Sequence, residues 1–217
     1  MKQNLIKKFS GSISPNIKLS KYSWFNLGGP AELFFKPDNE DELIEFLKNK
    51  KNNNLKITIL GAGSNTLIRD EGIKGVVIKL GTNFSKIKLI KKDIIEVGAA
   101  TLDRKISNFA KENGIGNLEF LSCIPGSIGG AVIMNSGCYD NDISKVLLSI
   151  KAIDIKECKE KNISREEIKF IYRGTNLPSD LIITSVKLKG EIADKKIIEE
   201  KQFKMIEKKK LSQPSQI

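Results

Sequence analysis

Residues 57–66 read Ile57-Thr58-Ile59-Leu60-Gly61-Ala62-Gly63-Ser64-Asn65-Thr66, and residues 124–131 read Ile124-Pro125-Gly126-Ser127-Ile128-Gly129-Gly130-Ala131. The first stretch is an apolar strand running straight into a glycine–serine loop. Glycines there let the backbone turn sharply and bring successive N–H groups against a phosphate, while Ser64 and Asn65 add side-chain hydrogen bonds. In the second stretch Pro125, Gly126, Gly129 and Gly130 give a backbone able to lie flat against a planar ring. A dinucleotide fingerprint of the Rossmann kind needs a third glycine opening a helix and an acid roughly 20 positions later. Here residues 66–72 end in a polar turn, and Lys79 and Leu80 stand where the acid belongs, so that reading is set aside.

Working outward, residues 32–36 form an apolar run closed by Pro37 and read as a strand. Residues 38–51 carry Leu43, Ile44, Phe46 and Leu47 with acids early and lysines late, the order a helix dipole favours. Strands at 56–60 and 76–80 then complete a β-α-β unit with an unusual second half. Two further strand-like runs, 86–90 and 94–97, precede a helix over 102–113 that Gly114 stops. Residues 117–137 are rich in Gly, Ser and Pro yet apolar throughout, as a packed loop region would be. Strands follow at 147–155 and 181–188, and Ser164 with Glu167 has the spacing of a capping box for a short helix. The last element, 194–211, is a Lys/Glu-rich helix whose expected buried stripe is Ile197, Ile198, Phe203, Met205 and Ile206.

A chain of 217 residues buries roughly 70% of its unfolded surface, so a proper core is expected. No apolar run approaches the roughly 18 residues of a membrane span, and the first residues lack a signal-peptide pattern, which reads as cytoplasmic. Lys and Arg outnumber Asp and Glu by 37 to 26, which favours anionic ligands. No zinc-finger spacing or RNA-binding signature accompanies the lysines, so no nucleic-acid partner is expected. Three cysteines, Cys123, Cys138 and Cys158, form no CxxC pair, and no metal site is expected. The chain has no histidine, which excludes Ser-His and Cys-His nucleophile pairs within it.

Four stretches carry a resemblance: FNLGGPAE at 25–32, LGAGSNTLIRDEGIKGVVI at 60–78, LEFLSCIPGSIGGAVIMNSGCY at 118–139, and YR at 172–173. In that order and spacing the chain resembles the UDP-N-acetylenolpyruvoylglucosamine reductase family. The resemblance implies an α+β fold of two FAD-binding subdomains, the PCMH type shared with vanillyl-alcohol-oxidase-like flavoproteins. The expected division is 1–81 and 82–190 for the two subdomains and 191–217 for a helix leading to a substrate domain that the chain lacks. It also implies FAD as cofactor, NADPH as hydride donor and a UDP-sugar as substrate, with no membrane partner.

By the same resemblance Gly61, Ala62, Gly63, Ser64, Asn65 and Thr66 hold the cofactor's diphosphate side, and Ile124, Pro125, Gly126, Gly129, Gly130 and Ala131 its flavin side. Arg173 matches the catalytic arginine, whose planar fork suits an enolate beside a carboxylate. Tyr172, Asn135 and Lys210 are candidate substrate contacts, each balanced against a local structural role: orienting Arg173 or packing, holding the loop's backbone, or capping a solvated helix end. Cys123 and Cys138 occupy small-residue positions near the cofactor and read as packing residues, since no base or second thiol accompanies them. The family's Gly-Ser-x-Phe serine, which protonates the substrate carbon, does not occur; three possibilities follow from its absence, a fragment, one half of a split enzyme completed by a separate chain, or a flavin module without complete turnover.

Overall fold

The computed structural model describes residues 2–9, 11–50 and 55–212. Its frame is two sheets. The first takes β1 (Ile13–Lys18), β2 (Pro30–Phe35), β3 (Ile57–Ile59) and β4 (Ile73–Ile78) in the order β1-β2-β4-β3, with β1 antiparallel to β2 and the other pairs parallel. The expected β-α-β unit is present, and its unusual half is explained: β4 returns between β2 and β3 instead of extending the edge. Its crossover is α2 (Glu40–Lys50), slightly shorter than the sequence suggested. The Glu42 N–H donates to Asn39 Oδ1 (2.9 Å), and the Glu42 carboxylate accepts from the Asp38 N–H (2.6 Å), so two orphan donors are satisfied at its start. The apolar face of α2, Leu43, Phe46 and Leu47, is fully buried on the sheet, with the Phe46 ring centroid 4.3 Å from that of Phe35. A short helix, α1 (Lys2–Lys8), packs Leu5 into the same core, and Phe9, just beyond its end, joins it; neither α1 nor β1 is legible as periodicity in the sequence.

The second sheet is antiparallel: β5 (Ile87–Lys91), β6 (Ile94–Gly98), β7 (Leu147–Asp154), β8 (Lys159–Ser164) and β9 (Leu181–Lys189), in the order β8-β7-β9-β6-β5. Val97, Ile150, Val186 and Leu188 point to one face. That face is covered by α3 (Asp103–Glu112), by a 3₁₀ turn over Glu119–Cys123, and by α4 (Ile128–Ile133). Gly114, at φ +66°, ends α3 as expected. The region read as packed loop thus contains α4. Its buried residues Ile128, Ala131 and Val132 have helical spacing, but a Gly129-Gly130 pair inside the run masks the helix signal. Ile153 and Ile182 of the second sheet and Cys158 in its β7–β8 turn pack with Phe35 of the first sheet and Phe46 of α2, so the two halves share apolar contact.

The last helix, α5 (Lys195–Ser212), corrects the expected stripe. Ile198 and Gln202 are buried and Met205 packs on the second core, whereas Ile197 and Phe203 are more than half exposed. Positions 198, 202, 205 and 209 follow the helical repeat; 197 and 203 fall off that line. Gln202 is tolerated on the buried face because its Nε2 donates to Ser107 Oγ (2.6 Å), which in turn donates to the Glu119 carbonyl (3.3 Å). The capping box at Ser164 and Glu167 is present and opens a 3₁₀ turn. Residues 51 and 213–217, including Lys51 and Ser215, lie outside the described residues. None of the described helices is long and apolar enough to cross a membrane.

Candidate functional site

The two glycine loops meet, one following β3 of the first sheet and the other preceding α4, which covers the second. The first leaves β3, whose end is tied by Leu60 N–H to the Ile78 carbonyl (2.9 Å). The second precedes α4 and is stitched beneath by three bonds: Asp103 N–H to Gly126 O (3.0 Å), Ile128 N–H to Thr101 O (2.9 Å) and Gly129 N–H to Ala99 O (3.0 Å). A Cβ placed on Gly61 would stand 2.8 Å from Ser127 Oγ, and one on Gly126 would stand 3.9 Å from Ser64 Oγ. The glycines are therefore partly there for each other's loops.

They differ in what they clear. A Cβ on Gly63 would lie 1.9 Å from the Tyr22 carbonyl oxygen, one on Gly129 3.0 Å from Ala99 Cβ, and one on Gly126 2.8 Å from Asp103 Oδ2. All three face the protein, so backbone nesting is what they serve. Gly130 is the one that opens outward: its nearest heavy atom to such a Cβ is Ser127 Oγ at 3.9 Å, and both Gly130 and Pro125 are exposed. Clearance for a flat group therefore sits at Pro125 and Gly130.

Donors remain for a ligand on the first loop. The N–H groups of Ala62, Gly63, Ser64 and Asn65 find no acceptor among the described residues, and neither do the Ser64 and Asn65 side chains. Thr66 uses its carbonyl to accept from Ser23 Oγ (3.4 Å). Lys79 reaches back and donates to the Gly61 carbonyl. Burial, then the neighbouring Lys36 charge, holds its ammonium below the usual lysine range. An unpaired run of N–H groups with a partly desolvated lysine beside it suits an anionic linker such as a diphosphate, so these residues fit FAD. Lys79 stands where a ribose-binding acid would be sought, which is why the sequence excluded one fold without revealing the cation's use.

Beneath the seam lies Asp103, the first residue of α3. It is fully buried, neither carboxylate oxygen has a hydrogen-bond partner among the described residues, and burial pushes its carboxyl well above the usual range. Thr101 Oγ1, also buried, is likewise unpartnered. Sequence reading missed both; an acid at the start of a helix is ordinarily a surface feature.

Tyr172 and Arg173 are the two central residues of a tight hairpin between Phe170–Ile171 and Gly174–Thr175. Arg173 has φ +57°, a left-handed conformation usually left to Gly or Asn at the third position of such a turn. Its guanidinium lies 5.3 Å from the Tyr172 ring centroid, and Nη1 is 3.5 Å from the Gly137 carbonyl oxygen. Tyr172 is 89% exposed, so it flanks the arginine and does not pack in the core. Asn135 holds this hairpin: its Nδ2 donates to the Ile171 carbonyl (3.3 Å), and its Oδ1 accepts from the Ser144 N–H (3.1 Å).

The lysine run at the end of α5 divides by helix face. Lys209 lies on the packed line and donates from Nζ to the Cys123 carbonyl (2.5 Å), one residue before Ile124. Lys208 stands 4.7 Å over the Tyr139 ring. Lys210 points away and pairs with Glu207 (2.8 Å). The structure thus brings Lys209 to the second loop and leaves Lys210 at the exposed helix end. A cleft of about 650 Å³ lies elsewhere, on the polar face of the second sheet between Lys86, Glu96, Lys151 and Lys187 and the start of α2; none of the loop residues lines it.

Two loops from two sheets, with anion donors on one and a flat opening on the other, define an FAD-binding fold. Residues 31–159 match the family model described as an FAD binding domain. Structurally the chain is similar to the UDP-N-acetylenolpyruvylglucosamine reductase of Thermus caldophilus, with a TM-score of 0.81 and 29% identity over 94% of this chain and 70% of that one. It also shares its fold with an alkyldihydroxyacetonephosphate synthase (TM-score 0.62, 11% identity, 88% of this chain and 44% of that one).

In sequence it is 48% identical to the UDP-N-acetylenolpyruvoylglucosamine reductase of Pelagibacter ubique, over 98% of this chain and 71% of that protein. To the protein of the same name from Orientia tsutsugamushi (strain Ikeda) it is 41% identical, over 96% of this chain and 69% of that one. The chain belongs to the UDP-N-acetylenolpyruvoylglucosamine reductase family.

Proposed function

We propose that this chain acts as an FAD-dependent reductase that converts UDP-N-acetylglucosamine enolpyruvate to UDP-N-acetylmuramate with NADPH as hydride donor. The observation that carries the catalytic part is Arg173, a non-glycine residue in a left-handed turn whose Nη1 lies 3.5 Å from the Gly137 carbonyl oxygen. Such conformations cost on the order of 1–3 kcal/mol and persist where the side chain is needed. Reduction of an enolpyruvyl group leaves enolate-like charge next to a carboxylate, and a planar guanidinium answers both with parallel hydrogen bonds.

Bound FAD would supply a hydride acceptor for NADPH and a hydride donor for the substrate. Gly61 to Thr66 and Lys79 hold its anionic linker, while Ile124, Pro125 and Gly130 frame its ring; Gly126 and Gly129 nest the loop on the protein and the buried Ala131 anchors it through α4. Asn135 positions the hairpin of Tyr172 and Arg173, and Lys209 fixes the carbonyl that precedes the ring-facing loop. The division into 1–81, 82–190 and 191–217 follows the two sheets and α5, and a cytoplasmic setting suits a UDP-sugar and NADPH.

The test has two stages. Apo-protein titrated with FAD should quench flavin fluorescence with saturable, one-to-one stoichiometry; no uptake by folded protein rejects the cofactor assignment. Anaerobic NADPH should then bleach the flavin band, and the enolpyruvyl sugar nucleotide should restore it. Bleaching without restoration would leave FAD binding intact but reject complete turnover by this chain alone, and adding a candidate separate chain would then read out whether a second protein completes it.

A further inference from the structure

The wall between Arg173 and the second loop contains two thiols. Cys123 ends the 3₁₀ turn Glu119–Cys123, and in such a turn the carbonyl of residue i addresses residue i+3. Cys138 donates its thiol to the carbonyl of Phe120 (3.3 Å), which is the carbonyl that addresses Cys123. Cys123 Sγ is itself 3.7 Å from Ser122 Oγ. The Phe120 carbonyl thus ties the Cys138 thiol to the turn that Cys123 ends, the two thiols are neighbours that act on one another electrostatically, and both are free. The residues they bracket, 124–137, are the second glycine loop, α4 and Asn135.

We propose that Cys123 and Cys138 form an oxidation-sensitive dithiol that hydrogen peroxide converts to a disulfide beside the candidate active site. The chemistry balances with peroxide as the sole oxidant. One thiol sulfur attacks the O–O bond, giving a sulfenic acid, and its proton leaves with the departing hydroxide as water. The second sulfur then displaces the sulfenic oxygen: the S–S bond forms, the S–O bond breaks, and the second thiol proton leaves in a second water. Two thiols lose two electrons and one peroxide gains them.

Two cations face the pair. Lys209 Nζ is 2.5 Å from the Cys123 carbonyl oxygen, and Arg173 Nη1 is 3.5 Å from the carbonyl of Gly137, the residue before Cys138. Burial and then the adjacent Cys123 push the Cys138 thiol up to about 12, with Lys209 and Arg173 pulling the other way. Cys138 therefore suits the resolving role, entering as a thiol in the second step, and oxidation needs added peroxide on a scale of minutes to hours. Cys158 supplies an internal control: it is buried on the far side of the second sheet, donating to the Ile155 carbonyl (3.6 Å), without a thiol neighbour among the described residues. Once closed, the bridge ties the ring-facing loop to the Gly137 strand on which Arg173 leans.

The reduced full chain, without added FAD, is exposed to hydrogen peroxide, its remaining thiols are alkylated with iodoacetamide, and tryptic peptides are mapped by mass spectrometry. The expected product is monomeric, with the single tryptic peptide 112–145 unalkylated and two hydrogen atoms lighter because Cys123 and Cys138 are joined within it, alkylated Cys158, and full reversal by dithiothreitol. Cys138→Ser should halt at a sulfenic acid on Cys123 that dimedone traps, and Cys158→Ser should cross-link as the native chain does. Recovery of Cys123 and Cys138 both alkylated, a link to Cys158, or conversion to sulfinic acid without a bridge would each overturn the proposal. The cross-link is read without flavin, so its failure is separate from failure of the reductase assignment.

Discussion

Asp103 occupies the space that a side chain on Gly126 would need: a Cβ there would stand 2.8 Å from Asp103 Oδ2. The pair joins the start of α3 to the ring-facing loop, and the Asp103 N–H also donates to the Gly126 carbonyl (3.0 Å). The expected result for Gly126→Ala is a loss of about 1–3 kcal/mol of stability from overpacking, with weaker FAD binding. Asp103→Ala should recover much of that loss in the double variant. Urea titration of the four proteins closes the cycle; additive effects would show that the two residues do not interact.

Asp103 also predicts a pH dependence. Its folded pKa lies well above the ordinary 3.8 because burial opposes the charged form. The folded state therefore keeps a proton that the unfolded state releases. The stability this contributes is fully present below about pH 4 and declines as pH rises towards the raised value. Asp103→Asn, which cannot ionise, should melt close to the native chain at pH 4 and progressively above it at higher pH. Parallel melting curves across pH 4–8 would contradict this assignment.

The opposite sign holds at Asp154, the last residue of β7 before its turn to β8. Its carboxylate accepts from Lys161 Nζ (2.7 Å) and from the N–H groups of Lys156 (2.8 Å) and Glu157 (2.9 Å). These bonds, the Lys161 bond first, lower its pKa to about 2. Its stabilisation is present above the unfolded value near 4 and is lost as pH falls through about 2. Asp154→Asn should cost about 1 kcal/mol at pH 7, discounted for solvent screening, and should flatten the acid limb between pH 4 and 2.

Replacing Arg173 separates strain from chemistry. Arg173→Gly relieves the left-handed backbone and should raise stability by about 0.5–1 kcal/mol while turnover falls by at least a hundredfold. Arg173→Lys keeps the charge but loses the fork, so a comparable fall in turnover is expected with FAD affinity unchanged. A lysine variant with native turnover would remove Arg173 from the reaction.

The lysines of α5 give a paired comparison. Lys209→Met deletes the bond to the Cys123 carbonyl and should weaken FAD binding several-fold and lower the melting temperature. Lys210→Met removes an exposed ion pair with Glu207 and should change stability by less than about 0.5 kcal/mol. Equal effects would show that helix face does not decide their roles.

Much of this architecture was legible because apolar periodicity is strong in α2, α3, β7 and β9, where burial and propensity agree. The first sheet's β1 and the edge strand β8 were not, since Pro15 and Asn16 interrupt one and alternating lysines blur the other. Both glycine loops were found, but sequence does not show which way a missing Cβ faces. That direction assigns Gly63, Gly126 and Gly129 to nesting and Gly130 to the opening. Lys209 was within reach of helical counting once Ile198 and Gln202 fixed the buried face. Asp103 was not, because its significance comes from Gly126 and the lack of any partner, which only three-dimensional proximity reveals.

The meeting of Gly61 with Ser127 places the two walls of one binding trough on separate sheets. A group that bridges that trough works as a clamp, adding its own contacts to the apolar contact of Phe35 and Phe46 with Ile153 and Ile182 that already joins the halves. Yellow colour in a purified sample is then a gauge of how the halves are docked, and a core substitution far from either loop would announce itself first as bleached protein.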